Sequence, residues 1–162
     1  MLHLIPVISP DQLHTIQQLA RRIWEVTYTD IISREQIEYM LEQFYAPGTL
    51  YPKLSPTRTM YLLNANGEAT GYVDIETRAK DIFFHKFYIN TTDQRSGMGT
   101  KAMELISELV PKHIDWRLQV NRENYRAVNF YFKNGFIIEK ILDLDIGSGF
   151  FMNDFLMLKK NN

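Results

Sequence analysis

The chain contains no cysteine. Disulfides, cysteine-ligated zinc, iron–sulfur clusters and any thiol nucleophile are thereby excluded, so a covalent intermediate would have to form on another residue. A charge excess is missing too, since 18 Lys+Arg stand against 19 Asp+Glu for a formal net charge of -1 at pH 7. A nucleic-acid binder needs basic side chains to neutralise phosphates, so bulk electrostatics argue against a nucleic-acid partner. No apolar run approaches the ~18 residues of a membrane span, and the opening MLHLIPVISPDQ has neither a basic leader segment nor a small-residue cleavage site. The expectation is a cytoplasmic protein with no membrane partner. His3, His14, His85 and His113 are isolated from one another, which leaves no metal-ligand spacing. No repeat, low-complexity tract or long charge block breaks the chain. What is present is apolar bulk: 45% of the 162 residues are hydrophobic and 13% aromatic. That is enough to fill one core, folding at this mass removing roughly 70% of the unfolded chain's surface. A single domain over residues 1–162 is expected.

Residues 2–8 read as a short strand. Ser9-Pro10-Asp11 marks a helix start, and Leu13, Ile16, Leu19, Ala20, Ile23 and Trp24 recur at helical spacing. Ser33-Arg34-Glu35-Gln36 fits a capping box, Ile37, Met40, Leu41 and Phe44 form the stripe of a second helix, and Pro47-Gly48 is expected to stop it. These two helices should pair as a hairpin. Strand signals follow at 58–63, 71–77 and 82–89, with Asn66-Gly67 as a turn, which suggests an antiparallel meander. After a polar loop, Met98, Ala102, Leu105, Ile106 and Leu109 mark a helix ended by Pro111. Residues 114–120 read as a strand, residues 123–133 as a helix capped by Asn134-Gly135, and 136–141 and 150–158 as closing strands. The order βααβββαβαββ predicts an α+β fold with helices covering a central mixed sheet.

Two segments carry chemical information. Gln94-Arg95-Ser96-Gly97-Met98-Gly99-Thr100 lies between a strand and a helix. Glycines there admit close backbone approach, and the first helical turn offers N–H groups and its positive dipole end to phosphate oxygens. By itself a G-x-G is most often an ordinary turn, and this spacing fits neither a P-loop nor a Rossmann fingerprint. In the second segment, residues 118–136, Asn124, Ala127, Val128 and Tyr131 share one helix face. A polar group, a small residue and a phenol make an unusual core stripe, although a lone tyrosine would read as a packed ring with a satisfied hydroxyl.

On these segments the chain resembles the GNAT family of acetyl-CoA-dependent N-acetyltransferases. Residues 94–99 match the family's Q/R-x-x-G-x-G/A loop for the CoA pyrophosphate, and residues 120–136 match its V-x-x-x-N-x-x-A-x-x-x-Y-x-x-x-G-F segment. The element order extends the resemblance over the whole chain. Thr91-Thr92 stands where many members have proline and Arg95 where many have glycine, and neither alters the backbone donors. Segments 24–45 and 147–157 also resemble a bacterial branch related to polyamine acetyltransferases. The resemblance implies acetyl-CoA as cosubstrate and no metal. It implies a cofactor site of Phe87, Tyr88 and Ile89, of Gln94, Arg95, Ser96, Gly97, Met98, Gly99 and Thr100, and of Asn124, Ala127, Phe130, Tyr131 and Lys133. It implies an acceptor site walled by the first two helices and the late strands, with Trp24 and Tyr28 as substrate-binding residues. Tyr39, Tyr45, Glu25, Asp30, Glu38 and Glu42 lie in the same region, where aromatics and carboxylates suit a cationic amine. Taken singly, each reads as a core aromatic or a solvated helical face.

An alkylamine with a pKa near ~10.4 is almost fully protonated at neutral pH, so acetyl transfer to it requires a base. His85, in Phe83-Phe84-His85-Lys86-Phe87-Tyr88-Ile89, lies near where many relatives place a catalytic glutamate, and its reference pKa of about 6.5 suits the task. It reads equally as a structural ring, and Glu76 and Asp74 on the preceding strand are the alternative bases, directly or through a water. The resemblance places Tyr131 beside the CoA sulfur. A phenol near ~10 stabilises a thiolate near ~8.5 mainly by donating a hydrogen bond, full proton transfer being uphill by about 2 kcal/mol in water. A splay between central strands is also implied, giving the oxyanion a backbone N–H from Tyr88 or Ile89. With no cysteine, direct attack in a ternary complex is favoured over an acyl-enzyme.

The expected function is transfer of an acetyl group from acetyl-CoA to a primary amine of a small molecule, a polyamine among them, or of a peptide. These motifs do not select among polyamine, amino acid, aminoglycoside and protein N-terminus, and a homodimer is an allowed assembly. The alternative is a GNAT-like module that binds acetyl-CoA or another ligand without catalysis, since fold does not fix function. Tyr131 and His85 weigh against it. An RNA-binding reading of the aromatic strand 83–88 fails for want of that module's glycines and of positive charge.

Overall fold

The structure is a computed structural model that describes residues 1–50, 54–90 and 97–161. Strand β1 (Leu2–Pro6) turns into helix α1 (Pro10–Thr27) through a reciprocal capping box. Ser9 Oγ accepts from the Gln12 amide while the Gln12 side chain accepts from the Ser9 amide. Gln12 also bonds the Ile8 amide and the Pro6 carbonyl, which fixes this corner and ends the strand at Pro6 rather than at residue 8. At α2 (Arg34–Tyr45) the expected box is half made. Ser33 Oγ caps the Gln36 amide, but the Gln36 side chain donates to the Phe151 carbonyl at 2.6 Å and ties α2 to a distant strand. Pro47-Gly48 does not simply stop α2: it opens the short helical turn α3 (Pro47–Leu50), proline fitting a first helical position.

The remaining elements are β2 (Arg58–Ala65), β3 (Glu68–Thr77), β4 (Asp81–Ile89), α4 (Met98–Leu109), β5 (Asp115–Asn121), α5 (Tyr125–Lys133), β6 (Ile137–Gly147) and β7 (Phe150–Lys159). Among the described residues they form one seven-stranded sheet in the order β1-β2-β3-β4-β5-β7-β6, with β4 and β5 parallel and the other neighbours antiparallel. The expected α+β fold with a mixed sheet is the fold observed. Asn66 and Gly67 both have positive φ, as the tightest hairpin turns require. β6 runs well beyond its expected end at residue 141, because Leu142, Leu144 and Ile146 continue an every-other-residue pattern beside β7.

Strand alternation sends side chains to two cores. One face of the sheet gives Met60, Leu62 and Tyr72 to Ile16, Leu19, Ile23 and Trp24 of α1 and Met40, Leu41 and Tyr45 of α2. The other gives Leu63, Val73, Phe84, Leu118 and Val120 to Ala102, Met103 and Ile106 of α4 and Val128 and Tyr131 of α5.

The sheet is interrupted at its centre. β4 pairs with β5 only from Asp81–Asp115 to Phe84–Leu118, although β4 continues to Ile89 and β5 to Asn121. At the same level the β3–β4 register passes from Asp74↔Lys86 to Ile75↔Phe84, so His85 is an extra residue in a β-bulge. Bulges bend a strand and disrupt its pairing. Beyond Phe84 the two strands splay apart.

On the other side of β4 the contact is unusually close: a Cβ on Gly71 would sit 2.3 Å from the Tyr88 carbonyl oxygen. Gly71→Ala is therefore expected to lower the unfolding free energy by about 1–3 kcal/mol through forced backbone movement. Gly48→Ala, whose Cβ would meet nothing within 4 Å, should change it by no more than ~0.5 kcal/mol. Urea denaturation of the pair measures the difference.

Candidate active site

A cleft of about 820 Å³ opens at the splay, with walls from α1, α2, the start of α4, α5 and β7. On the α4 side, Gly97 is the helix N-cap at φ 76 with no side-chain cap, so the amides of the first turn lack an intrahelical acceptor. Gly97, Gly99 and Thr100 line the cleft. Gly99 also serves packing, since a Cβ there would lie 2.9 Å from the Phe130 ring. Met98 does not line the cleft: its Sδ accepts from the Thr70 hydroxyl at 3.3 Å. Gln94, Arg95 and Ser96 lie outside the described residues.

α5 supplies the adjoining wall through Asn124, Ala127, Phe130, Tyr131 and Lys133, together with Arg126. Asn124 is the N-cap of α5 rather than part of its stripe, its Oδ1 accepting from the Ala127 amide at 3.2 Å. Tyr131 packs edge-on against Phe130 and Phe136 and is nearly buried. Among the described residues its hydroxyl has no hydrogen-bond partner. Burial raises its pKa well above the ordinary phenol value, so the group stays protonated.

Phe87, Tyr88 and Ile89 form the edge of the splay. The Asn90 amide donates to the Thr70 carbonyl at 2.7 Å. By the alternation of an antiparallel ladder the Tyr88 amide is directed to the same side, toward β3 and away from β5. Phe87 packs against the α4–α5 core and Tyr88 against the α1–α2 core.

His85 lines the cleft with 22% of its side chain exposed. Its Nε2 lies 2.9 Å from Glu76 Oε2, and Glu76 also holds Arg78 Nε at 3.0 Å. These two hydrogen bonds hold the Glu76 pKa below the usual carboxylate value, so Glu76 is an acceptor and the ring proton must sit on Nε2. The Nδ1 lone pair is then the basic site. Burial, acting against the attraction of Glu76, lowers the His85 pKa below 6.5 and leaves the ring neutral at pH 7. The alternative bases are placed differently. Asp74, 1% exposed, is gripped by Arg58 through hydrogen bonds of 2.9 and 2.7 Å with Lys86 at 3.5 Å, and neither Asp74 nor Glu76 lines the cleft.

Trp24 and Tyr28 stand at the α1 wall in a cluster of rings with Tyr45, Tyr72 and Tyr88. Their hydroxyls pair off, Tyr28 with Tyr88 at 3.0 Å and Tyr45 with Tyr72 at 2.7 Å, and burial raises the pKa of all four phenols. Tyr45 and Asp30 line the cleft as well. Tyr39, Glu25, Glu38 and Glu42 do not. Tyr39 donates to the Ile146 carbonyl at 2.6 Å and locks α2 to β6, Glu25 and Glu38 surround Arg21 on the exposed helical face, and Glu42 lies in a separate shallow groove. Asp154 of β7, a buried cleft residue, belongs to neither motif and is not among the expected site residues. The available signal was a lone acid in the middle of the apolar strand FFMNDFLMLK. Among the described residues no cluster of metal-ligating side chains occurs and no helix is long and apolar enough to cross a membrane.

The family model described as acetyltransferase (GNAT) domain matches residues 28–140. A spermidine N(1)-acetyltransferase of Thermoplasma acidophilum is 29% identical over 161 residues, covering 94% of each chain. Among solved structures, the PaiA N-acetyltransferase of Thermoplasma acidophilum in complex with coenzyme A superposes with a TM-score of 0.76 at 24% identity, covering 99% of both chains. The ribosomal-protein-S18-alanine N-acetyltransferase of Escherichia coli gives 0.73 at 16% identity, covering 100% of this chain and 95% of that one. The names of these proteins span spermidine and an alanine of a ribosomal protein, so the shared fold does not select the acceptor.

Glu76→Gln should lower the His85 ring pKa further, since the carboxylate raises it. Because the folded value already lies below the unfolded reference of about 6.5, protonation favours the unfolded chain, and stability is lost as pH falls through that range. NMR titration of the ring reads the shift directly, and an unchanged value would show that the contact does not form.

Proposed function

Since the chain belongs to the GNAT acetyltransferase family, we propose that it transfers the acetyl group of acetyl-CoA to a primary amine by direct attack within a ternary complex. The observation that carries this reading is the cleft crossing the sheet at the splay. It joins the uncapped α4 N-terminus and Tyr131 on one face to the His85–Glu76 pair on the other. The cofactor side fits the chemistry of a phosphate-bearing thioester. The first-turn amides of α4, with Arg126 and Lys133 at the same mouth, are donors and cations for phosphate oxygens, and Gly97 leaves the backbone accessible.

His85 acts as base through Nδ1. Taking a proton from a free alkylammonium of pKa ~10.4 onto a ring below 6.5 is uphill by at least about 5 kcal/mol. The acceptor therefore attacks as the minor neutral amine, its first proton having gone to solvent. Transfer of the second proton to His85 becomes favourable once the nitrogen lone pair has bonded to the thioester carbon and the remaining N–H acidifies, so His85 works during attack rather than before it. Glu76 orients the ring and stabilises the imidazolium formed. As the carbon–sulfur bond breaks, the Tyr131 hydroxyl donates a hydrogen bond to the departing thiolate. Its raised pKa makes it a poor proton donor and a durable hydrogen-bond donor. The acceptor enters from the α1–α2 face, past Trp24 and Tyr28.

His85→Ala should reduce turnover at pH 7 by about a hundredfold or more while leaving CoA affinity unchanged. Part of the rate should return at high pH, where free amine is abundant. Wild-type turnover in this variant would move the base to another group. Tyr131→Phe should lower kcat about ten- to a thousandfold with little change in acetyl-CoA affinity, because the hydrogen bond strengthens only as charge develops on sulfur. A ring needed only for packing would change the melting temperature and spare kcat.

A further inference from the structure

Asp154 is 4% exposed, yet among the described residues its carboxylate makes no hydrogen bond and no ion pair. Its oxygens are not sealed in, since they are not among the buried polar atoms left unsatisfied, and the residue lines the cleft. The carboxylate is therefore open to a cleft ligand while no group among the described residues neutralises it. Its location says which ligand. Asp154 pairs with Asn121 across β5–β7, while the next pair, Phe155 with Val120, faces the α4–α5 core. Alternation therefore turns Asp154 to the α1–α2 face, the face of His85 and Tyr88, and it lines the cleft there. Neighbouring cations are committed elsewhere. Arg122 is bound to Asp143, Lys86 is turned toward Asp74, and Arg126 and Lys133 belong to the helix that forms the cofactor wall.

We propose that Asp154 anchors a second, non-reacting ammonium of the acceptor, so that the enzyme selects diamines and polyamines over monoamines. This rests on the acetyl-transfer reading above and adds the acceptor's class to it. Along the sheet, Asp154 is level with Asn121, and His85 is level with Gln119 if the β4–β5 register is extended past Leu118. At about 3.3 Å per residue and 4.8 Å per paired strand, the two Cα atoms are at least about 12 Å apart, the splay that lies between them adding to that. A flexible chain of methylenes with nitrogens at both ends can reach from one to the other. The clustered rings of Trp24, Tyr28 and Tyr88 line the same cleft and give it an apolar, cation-tolerant wall for such a chain. Burial pushes the Asp154 pKa up to about 6, which still leaves it ionised at neutral pH, and a bound ammonium would hold it so.

The test compares spermidine with butylamine, which carries one amine, by calorimetry on the full chain in the presence of coenzyme A. Wild type should bind spermidine at least tenfold more tightly, and Asp154→Asn should reduce the ratio of the two affinities at least tenfold. The melting temperature of the variant at pH 8 should not fall, because an unpaired buried charge has been removed. A ratio that is unchanged, through equal losses or none, would overturn the proposal, as would a wild type that does not prefer spermidine. Spermidine bound through Asp154 but never acetylated would leave this assignment standing and refute acetyl transfer instead.

Discussion

The bulge at His85 fixes where chemistry can occur in this fold. A parallel pair of central strands would ordinarily stay hydrogen-bonded along its length, buried on both faces and closed to ligands. Here the β4–β5 ladder stops at Phe84 and Leu118, and the next residue of β4 is the one that has no partner in β3. The same irregularity thus opens the sheet and places the imidazole at the opening. The cost of the lost ladder is carried by the two cores, which hold β4 from both sides through Tyr72, Tyr88 and Trp24 on one face and Phe84, Phe87 and Trp116 on the other.

A sheet with a window separates two ligands that must meet only at their reacting atoms. The α4–α5 face presents amide dipoles and the exposed cations Arg126 and Lys133, suited to an anionic cosubstrate. The opposite face presents a neutral imidazole, neutral phenols and the Asp154 carboxylate, suited to an amine. Burial shifts all of these groups toward their neutral forms: it lowers the histidine and raises the tyrosines, which are neutral near pH 7, and it raises the aspartate to about 6, not far enough to discharge it there.

The sequence is most legible where function depends on local spacing. Gly97, Gly99, Asn124 and Tyr131 line one cleft, Gly97 and Asn124 as helix N-caps and Tyr131 from a helix face, and helix starts and faces are set by residues three or four apart. Features made by distant strands are not legible in this way. No residue near His85 announces a bulge, and its pairing with Glu76 follows from the β3–β4 register. Asp154 acquires meaning only because β5 and β7 are neighbours, an adjacency that brings residues 121 and 154 together. The two capping sites show a similar limit. Ser9 and Gln12 close on each other because the other partners of Gln12, the Ile8 amide and the Pro6 carbonyl, lie at the same corner, whereas Gln36 is drawn away by the distant Phe151 carbonyl.

The central claim is that two ligands bind on opposite faces of the sheet and meet at the β4–β5 splay. Amide chemical-shift mapping by NMR tests it most directly, with coenzyme A added first and spermidine second. The account predicts that coenzyme A shifts Gly97, Gly99, Thr100, Ala127 and Tyr131, that spermidine shifts Tyr28, His85 and Asp154, and that the sets overlap at Phe87 and Tyr88. Perturbation of one common set by both ligands, or of residues remote from the splay, would contradict it.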